Sequence, residues 1–181
     1  MPANRIAGPI EIKARRIKLL LLDVDGVLTD GGIVIDHRGR ETKRFNVRDG
    51  HGIRLLIRAG IQVGLITGRY SKAVIHRARE LGIPMVHQNV RDKMAVYRKI
   101  KRQTGLDDEE IAYVGDDIVD RPLLRQVGFA VTVKDCWEDL KEVVDYVSRL
   151  EGGRGAVREI AELLLRAQRK WGKIIREYDR G

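Results

Sequence analysis

Cysteine is all but missing from this chain: Cys136 stands alone among 181 residues. One thiol cannot close an intramolecular disulfide, which excludes the disulfide-stapled secreted scaffolds and sets a cytoplasmic protein as the expectation. Long apolar runs are missing too. None approaches the roughly 20 residues that span a bilayer, so no membrane partner is expected. The opening MPANRIAGPIEIKARR is basic, but it has neither the apolar stretch nor the small-residue cleavage site of an export signal. Aromatic residues are scarce at 5%, and only Trp171 and Tyr178 lie in the basic C-terminal stretch. That scarcity tells against nucleic acid, which the net charge of +9 would otherwise suggest. The cations are scattered beside acids through helical patterns, and no helix-turn-helix, zinc-ligand spacing or RNA-binding consensus is present. The charge suits an anionic substrate. Glycine-rich phosphate cradles are lacking as well: there is no G-x-x-x-x-G-K-[ST] run, and Gly153-Arg154-Gly155 lacks the third glycine of a dinucleotide fingerprint. Glycines 152, 153 and 155 read as a flexible lead into the last helix.

What the chain does contain is a soluble globular composition, 43% hydrophobic and 34% charged, over a length that suits one domain, 1–181. Short apolar runs predict strands at Ile17–Leu22, Val63–Ile66, Met85–His87, Ile111–Val114, Phe129–Val133 and Tyr146–Val147. Between them the spacing predicts helices near Gly52–Ala59, Ser71–Leu81, Lys93–Thr104, Val119–Gln126 and Trp137–Val143. A β-hairpin fits about 31–46, turning around His37–Gly39, and an amphipathic helix runs from Ala156 to about Lys170 within a C-terminal segment of about 152–175. Strand and helix in alternation imply an α/β fold: a doubly wound, mainly parallel, Rossmann-like sheet. Its strands end on one edge, and ligands bind there.

Four segments with chemically capable residues fall on that edge. In DVDG, Asp23 and Asp25 are one residue apart, so an extended backbone aims both carboxylates one way and Gly26 permits a sharp turn. Like charges so close need a cation or a shared proton, and a few hard oxygen ligands suit Mg²⁺. In YVGDDIVD another strand runs into Asp116 and Asp117, with Asp120 one helical turn on; an N-cap role for one of them is the competing reading. In LITGR, Thr67 and the Gly68 amide suit a phosphoryl oxygen, although a Thr-Gly turn with a solvated arginine fits equally. Lys93 opens a helix, where a cation is unfavourable for the dipole unless an anion lies near.

In this order, DVDGV (23–27), ITG (66–68), Lys93 and GDD (115–117) resemble the motifs of the haloacid-dehalogenase-like phosphohydrolases across nearly the whole chain. The resemblance implies that Asp23 is the nucleophile and Asp25 the general acid and base. It also implies that Asp23, the Asp25 carbonyl and Asp116 hold Mg²⁺ with Asp117 and Asp120 supporting, and that Thr67 and Lys93 bind the phosphoryl group. The segments 30–49 and 69–93 are too short for the inserted caps of that superfamily, so no cap domain is expected. LDVDGVLTDG, FNVRDGHGI, LITGR, AYVGDD and GGRGAVREI further resemble the 3-deoxy-D-manno-octulosonate 8-phosphate (KDO 8-phosphate) phosphatases. That family implies a homotetramer acting on a small sugar-acid phosphate. Asp49, Gly50, Gly68, Arg69, Arg77 and Arg154 are the substrate-binding candidates, with a helix-face charge the alternative for Arg77 and a tail residue for Arg154. A nine-carbon keto-acid 9-phosphate, or a scaffold role like that of domains fused to acylneuraminate cytidylyltransferases, stays open.

Overall fold

A computed structural model describes residues 8–180; residues 1–7, the start of the basic N-terminal stretch, and residue 181 lie outside the described residues. In chain order the elements are α1 (Gly8–Arg16), β1 (Leu19–Leu22), β2 (Val34–Ile35), β3 (Glu41–Thr42), α2 (Val47–Arg58), β4 (Gln62–Ile66), α3 (Lys72–Leu81) and β5 (Met85–His87). They continue with α4 (Lys93–Thr104), β6 (Ile111–Gly115), α5 (Arg121–Leu124), β7 (Phe129–Thr132), β8 (Tyr146–Val147), α6 (Ala156–Ala167) and α7 (Trp171–Tyr178).

Four leucines in a row need burial on both sides, and β1 provides it from the middle of a six-stranded sheet ordered β5-β4-β1-β6-β7-β8. Every pairing in that sheet is parallel. Side chains alternate along a strand. Leu20 and Leu22 therefore join one core, with Ile53 and Leu56 of α2 and Ile160 and Leu164 of α6. Leu19 and Leu21 join the other, with Tyr97 and Ile100 of α4 and Leu123 of α5. The sheet is covered on both faces, as its apolar strands require. Between β1 and α2 lies only the β2–β3 hairpin, and between β4 and α4 only α3 and β5, so no cap domain covers the strand ends.

Several element boundaries differ from the sequence expectation. The helix α1 was not expected; it buries only Ala14, too few apolar positions to show a period. Helix α2 starts at Val47 rather than near Gly52, because the Asn46 side chain accepts from the Arg48 amide and caps it. The predicted helix at Val119–Gln126 is a 3₁₀ turn, Ile118–Asp120, followed by the single turn of α5, since the Asp120 carboxylate folds back onto the amides of Asp116 and Asp117. At Trp137–Val143 only Glu138–Leu140 is helical, and the Trp137 amide donates to the Asp116 carbonyl instead of joining a helix. The last helix stops at Ala167 and restarts as α7 after Arg169, which has φ +58°.

Gly152 and Gly153 are more than a flexible lead. The Gly153 amide donates to the Val27 carbonyl at 2.9 Å, so the segment before α6 lies against the loop that follows β1. A Cβ on Gly152 would sit 1.7 Å from the Gly26 carbonyl oxygen, a backbone atom that cannot swing away. Gly152→Ala should therefore cost about 1–3 kcal/mol, read as a lower urea midpoint at unchanged slope.

Candidate active site

The core of the site is built where β1 and β6 end side by side, Leu22 paired with Val114. The Asp23 amide donates to the Val114 carbonyl, and its carboxylate Oδ1 accepts from the Val24 amide at 2.7 Å. Asp23 Oδ2 lies 2.9 Å from Lys93 Nζ. Lys93, at the first position of α4, also donates to Asp120 Oδ1 at 2.6 Å and to the Tyr113 hydroxyl at 3.0 Å. Tyr113 in turn donates to Asp120 Oδ1 at 2.5 Å, while Asp120 Oδ2 accepts the amides of Asp116 and Asp117. Asp120 is thus fully buried and fully bonded.

Asp116 is different. Its Oδ1 is buried and has no hydrogen-bond partner among the described residues. Its Oδ2 lies over Gly26, where a Cβ would come within 1.9 Å, so only glycine leaves room for this carboxylate. Carboxylate oxygens of Asp23, Asp116 and Asp120 all fall within 4.8 Å of one another. Burial pushes the Asp116 carboxyl up to about 8, and the charges of Asp23 and Asp120 add to it. Burial likewise raises Asp23 to about 6, against the opposing pull of Lys93. For Lys93, burial alone would lower the ammonium; Asp23 and Asp120 reverse that and hold it above its ordinary range. Three acids facing one ammonium, with one oxygen unpartnered, is a donor set that fits a hard divalent cation.

Asp25 faces the hairpin. Lys43, just past β3, pairs with Asp25 Oδ1, and Arg69 Nε lies 3.8 Å from Asp25 Oδ2. Arg69 also pairs with Glu41. Thr67 follows β4 at the same sheet edge, buried, with its amide bonded to the His87 carbonyl and its carbonyl to the Val90 amide; the next residue, Gly68, is exposed.

Comparison with known proteins gives this arrangement its relatives. Residues 84–160 match the model of a family of haloacid dehalogenase-like hydrolases. The 3-deoxy-D-manno-octulosonate 8-phosphate phosphatase of Yersinia pestis is 45% identical over 91% of this chain and 88% of its own. The enzyme of that name from Moraxella catarrhalis, solved with magnesium, phosphate and KDO, superposes with a TM-score of 0.92 at 41% identity, over 93% of this chain and 97% of that one. The cobalt-bound form from Haemophilus influenzae gives a TM-score of 0.83 at 40% identity, over 86% and 91%. This chain belongs to the KDO 8-phosphate phosphatase family.

The remaining candidates divide sharply against that family background. Asp117 is exposed, and its carboxylate accepts from the neighbouring Ile118 amide, so it is the local cap that one of the paired acids was open to being. Asp49 does not fit a substrate-binding place: it is 1% exposed, and its two oxygens accept the amides of Gly155 and Arg158, holding the start of α6. Gly50 makes room for Arg77, whose Nη2 a Cβ would meet at 2.1 Å. Arg77 is itself engaged by Glu80, the Asn46 carbonyl and the face of Phe45. Arg154 is exposed and paired with Glu151. Sequence reasoning missed Glu41, Lys43 and Tyr113. The first two had a signal: two residues apart on an extended strand, they point the same way.

The raised acid predicts how metal-free protein responds to pH. Asp116 holds its proton to about 8 when folded but releases it near 3.8 when unfolded. Between those values the native state binds more protons, so stability falls as pH rises and levels off above about 8. Urea midpoints in EDTA should show this decline from pH 4 to 8, and Asp116→Asn should flatten most of it.

Proposed function

We propose that this protein is a magnesium-dependent phosphomonoesterase that hydrolyses KDO 8-phosphate to KDO and phosphate, a step in lipopolysaccharide precursor synthesis. The observation that carries the reading is the pairing of Asp23, gripped by Lys93, with an unpartnered buried oxygen of Asp116. Its support from relatives is the Moraxella catarrhalis enzyme, solved with magnesium, phosphate and KDO.

The reaction runs in two displacements. An Asp23 oxygen attacks phosphorus, a P–O bond to Asp23 forms, and the ester P–O bond breaks. The Asp25 carboxyl gives its proton to the departing alcohol oxygen. Asp25, now a carboxylate, takes a proton from water, whose oxygen attacks the aspartyl-phosphate and releases phosphate and free Asp23. Lys93 and the Thr67 hydroxyl offer fixed donors to the phosphoryl oxygens. Mg²⁺, held by Asp23, Asp116 and the Asp25 carbonyl, would neutralise the crowded carboxylates and stabilise charge on the transferring group. Asp120 holds Lys93 and the Asp116–Asp117 turn in place rather than meeting substrate. In this reading Arg69, 47% exposed, exchanges its pairing with Glu41 for the sugar acid's carboxylate. A homotetramer in the cytoplasm is part of the same reading.

Phosphate release from KDO 8-phosphate should be abolished by EDTA, restored by Mg²⁺, and undetectable for Asp23→Asn. In the same assay the nine-carbon keto-acid 9-phosphate should be at least tenfold worse in kcat/KM, a difference of about 1.4 kcal/mol. Equal or better turnover of the nine-carbon ester would reassign the substrate. Normal assembly with no release from any sugar phosphate would make the chain a scaffold.

A further inference from the structure

The β2–β3 hairpin is exposed along most of its length, with Val34 at 61% and Ile35 at 59%. Its side chains nearest Asp25 are not: Glu41 keeps 18% accessible. Lys43 keeps only 2% of its side chain accessible, and its ammonium pairs with Asp25 Oδ1 while lying 3.2 Å from Glu41 Oε1. Glu41 reaches on to Arg69, whose Nε stands 3.8 Å from Asp25 Oδ2. Two cations and two carboxylates close a ring, half of it on the hairpin and half on the sheet edge. Within that ring Asp25 Oδ2 is buried and accepts no hydrogen bond from the described residues.

A carboxyl group on an unrestrained side chain offers either oxygen, and it rotates broadly about its last torsion. Burying a lysine costs rotamer freedom and ammonium hydration, which two carboxylate partners offset. The arrangement makes Asp25's two oxygens unequal: one is gripped by Lys43, and the other, buried beside Arg69, has no hydrogen bond among the described residues to tie it. We propose that Lys43 is a positioning residue for Asp25, fixing Oδ1 so that Oδ2 is the oxygen that exchanges the proton with the leaving group. The hairpin then contributes to the chemistry as well as edging the site. This rests on Asp25 as general acid in the proposed reaction.

Leaving-group dependence tests it. KDO 8-phosphate releases a poor alcohol leaving group that needs a proton, whereas p-nitrophenyl phosphate releases a stable phenolate that does not. For Lys43→Met, kcat/KM on KDO 8-phosphate should fall about tenfold or more, within the range general acid catalysis supplies, and stay within about threefold on p-nitrophenyl phosphate. Asp25→Asn should show the same asymmetry, larger, and Lys43→Arg should recover part of the loss. Lys43→Gln repeats the comparison if K43M melts at lower temperature. Equal losses on both esters for K43M, or no loss, with asymmetry kept in D25N, overturn the role of Lys43 alone. Symmetry in D25N overturns the general-acid reading and this proposal with it. Any primary sugar phosphate the enzyme turns over serves as the alkyl ester, so failure on KDO 8-phosphate bears only on the choice of substrate.

Discussion

A buried ammonium cannot stand alone in a protein interior, and the one on Lys93 organises this molecule. It draws together the start of α4, the end of β1 through Asp23 and the loop after β6 through Asp120. Taking its charge out of water is costly, and the cost is met only because two carboxylates and the Tyr113 hydroxyl surround it. The same bonds decide what the neighbouring acids do. Asp120 spends one oxygen on Lys93 and Tyr113 and the other on two amides, so the turn carrying Asp116 is held rigid. Asp116 is left with an oxygen that nothing among the described residues satisfies. Burial raises the Asp23 and Asp116 carboxyls, and at Asp116 the neighbouring charges of Asp23 and Asp120 add to it. The fold concentrates negative charge at this strand end, and chemistry needing a cation makes use of it.

Backbone packing supports the same spot from beneath. Gly26 clears the space that Asp116 fills, and Gly152 lies directly against the Gly26 carbonyl. The Asn46 side chain donates to the Gly153 carbonyl, and Asp49 caps α6 through Gly155 and Arg158. The loop bearing Asp23 and Asp25 is therefore braced by the segment before α6, and that segment by the start of α2. Small residues here serve close approach, which a static site needs if its carboxylates are to stay aligned within fractions of an ångström.

The strand-end acids were legible because they obey a local rule. An apolar run bounded by a glycine and carboxylates reads as a buried strand reaching the open edge, and both Leu19–Leu22 and Ile111–Val114 follow it. Lys93 was legible as a cation at an unfavourable helix start, and Asp23 and Asp120 are the anions that such a position called for. What escaped is what depends on tertiary contact. Asp49 and Gly50 follow the hairpin in sequence and suggested the mouth, and Arg77 suggested a partner for a substrate carboxylate, yet in space they serve the packing of α2 against α3 and α6. The Val119–Gln126 segment carries a helical pattern, but the Asp120 carboxylate turns back onto the Asp116 and Asp117 amides ahead of it, and the segment begins in a 3₁₀ turn. Lys43 meets Asp25 across 18 residues of chain, through a turn whose tilt the sequence does not state.

That last contact changes the meaning of a short, capless chain. A site at the end of a parallel sheet is open on one side, and the charges around Asp25 would be weakened by water if nothing covered them. Here the covering group is itself charged: the hairpin brings Lys43 and Glu41 down onto Asp25 and Arg69, with Arg44 on Asp30 as a further tie. Ion pairs hold the hairpin over the site where an apolar cap would hold by burial. They are directional, so they fix carboxylate orientation as well as position. They also leave the hairpin's apolar residues, Ile33, Val34 and Ile35, facing outward. The side of the hairpin that carries charge is thus turned to Asp25, and that carboxylate is held by the same few bonds.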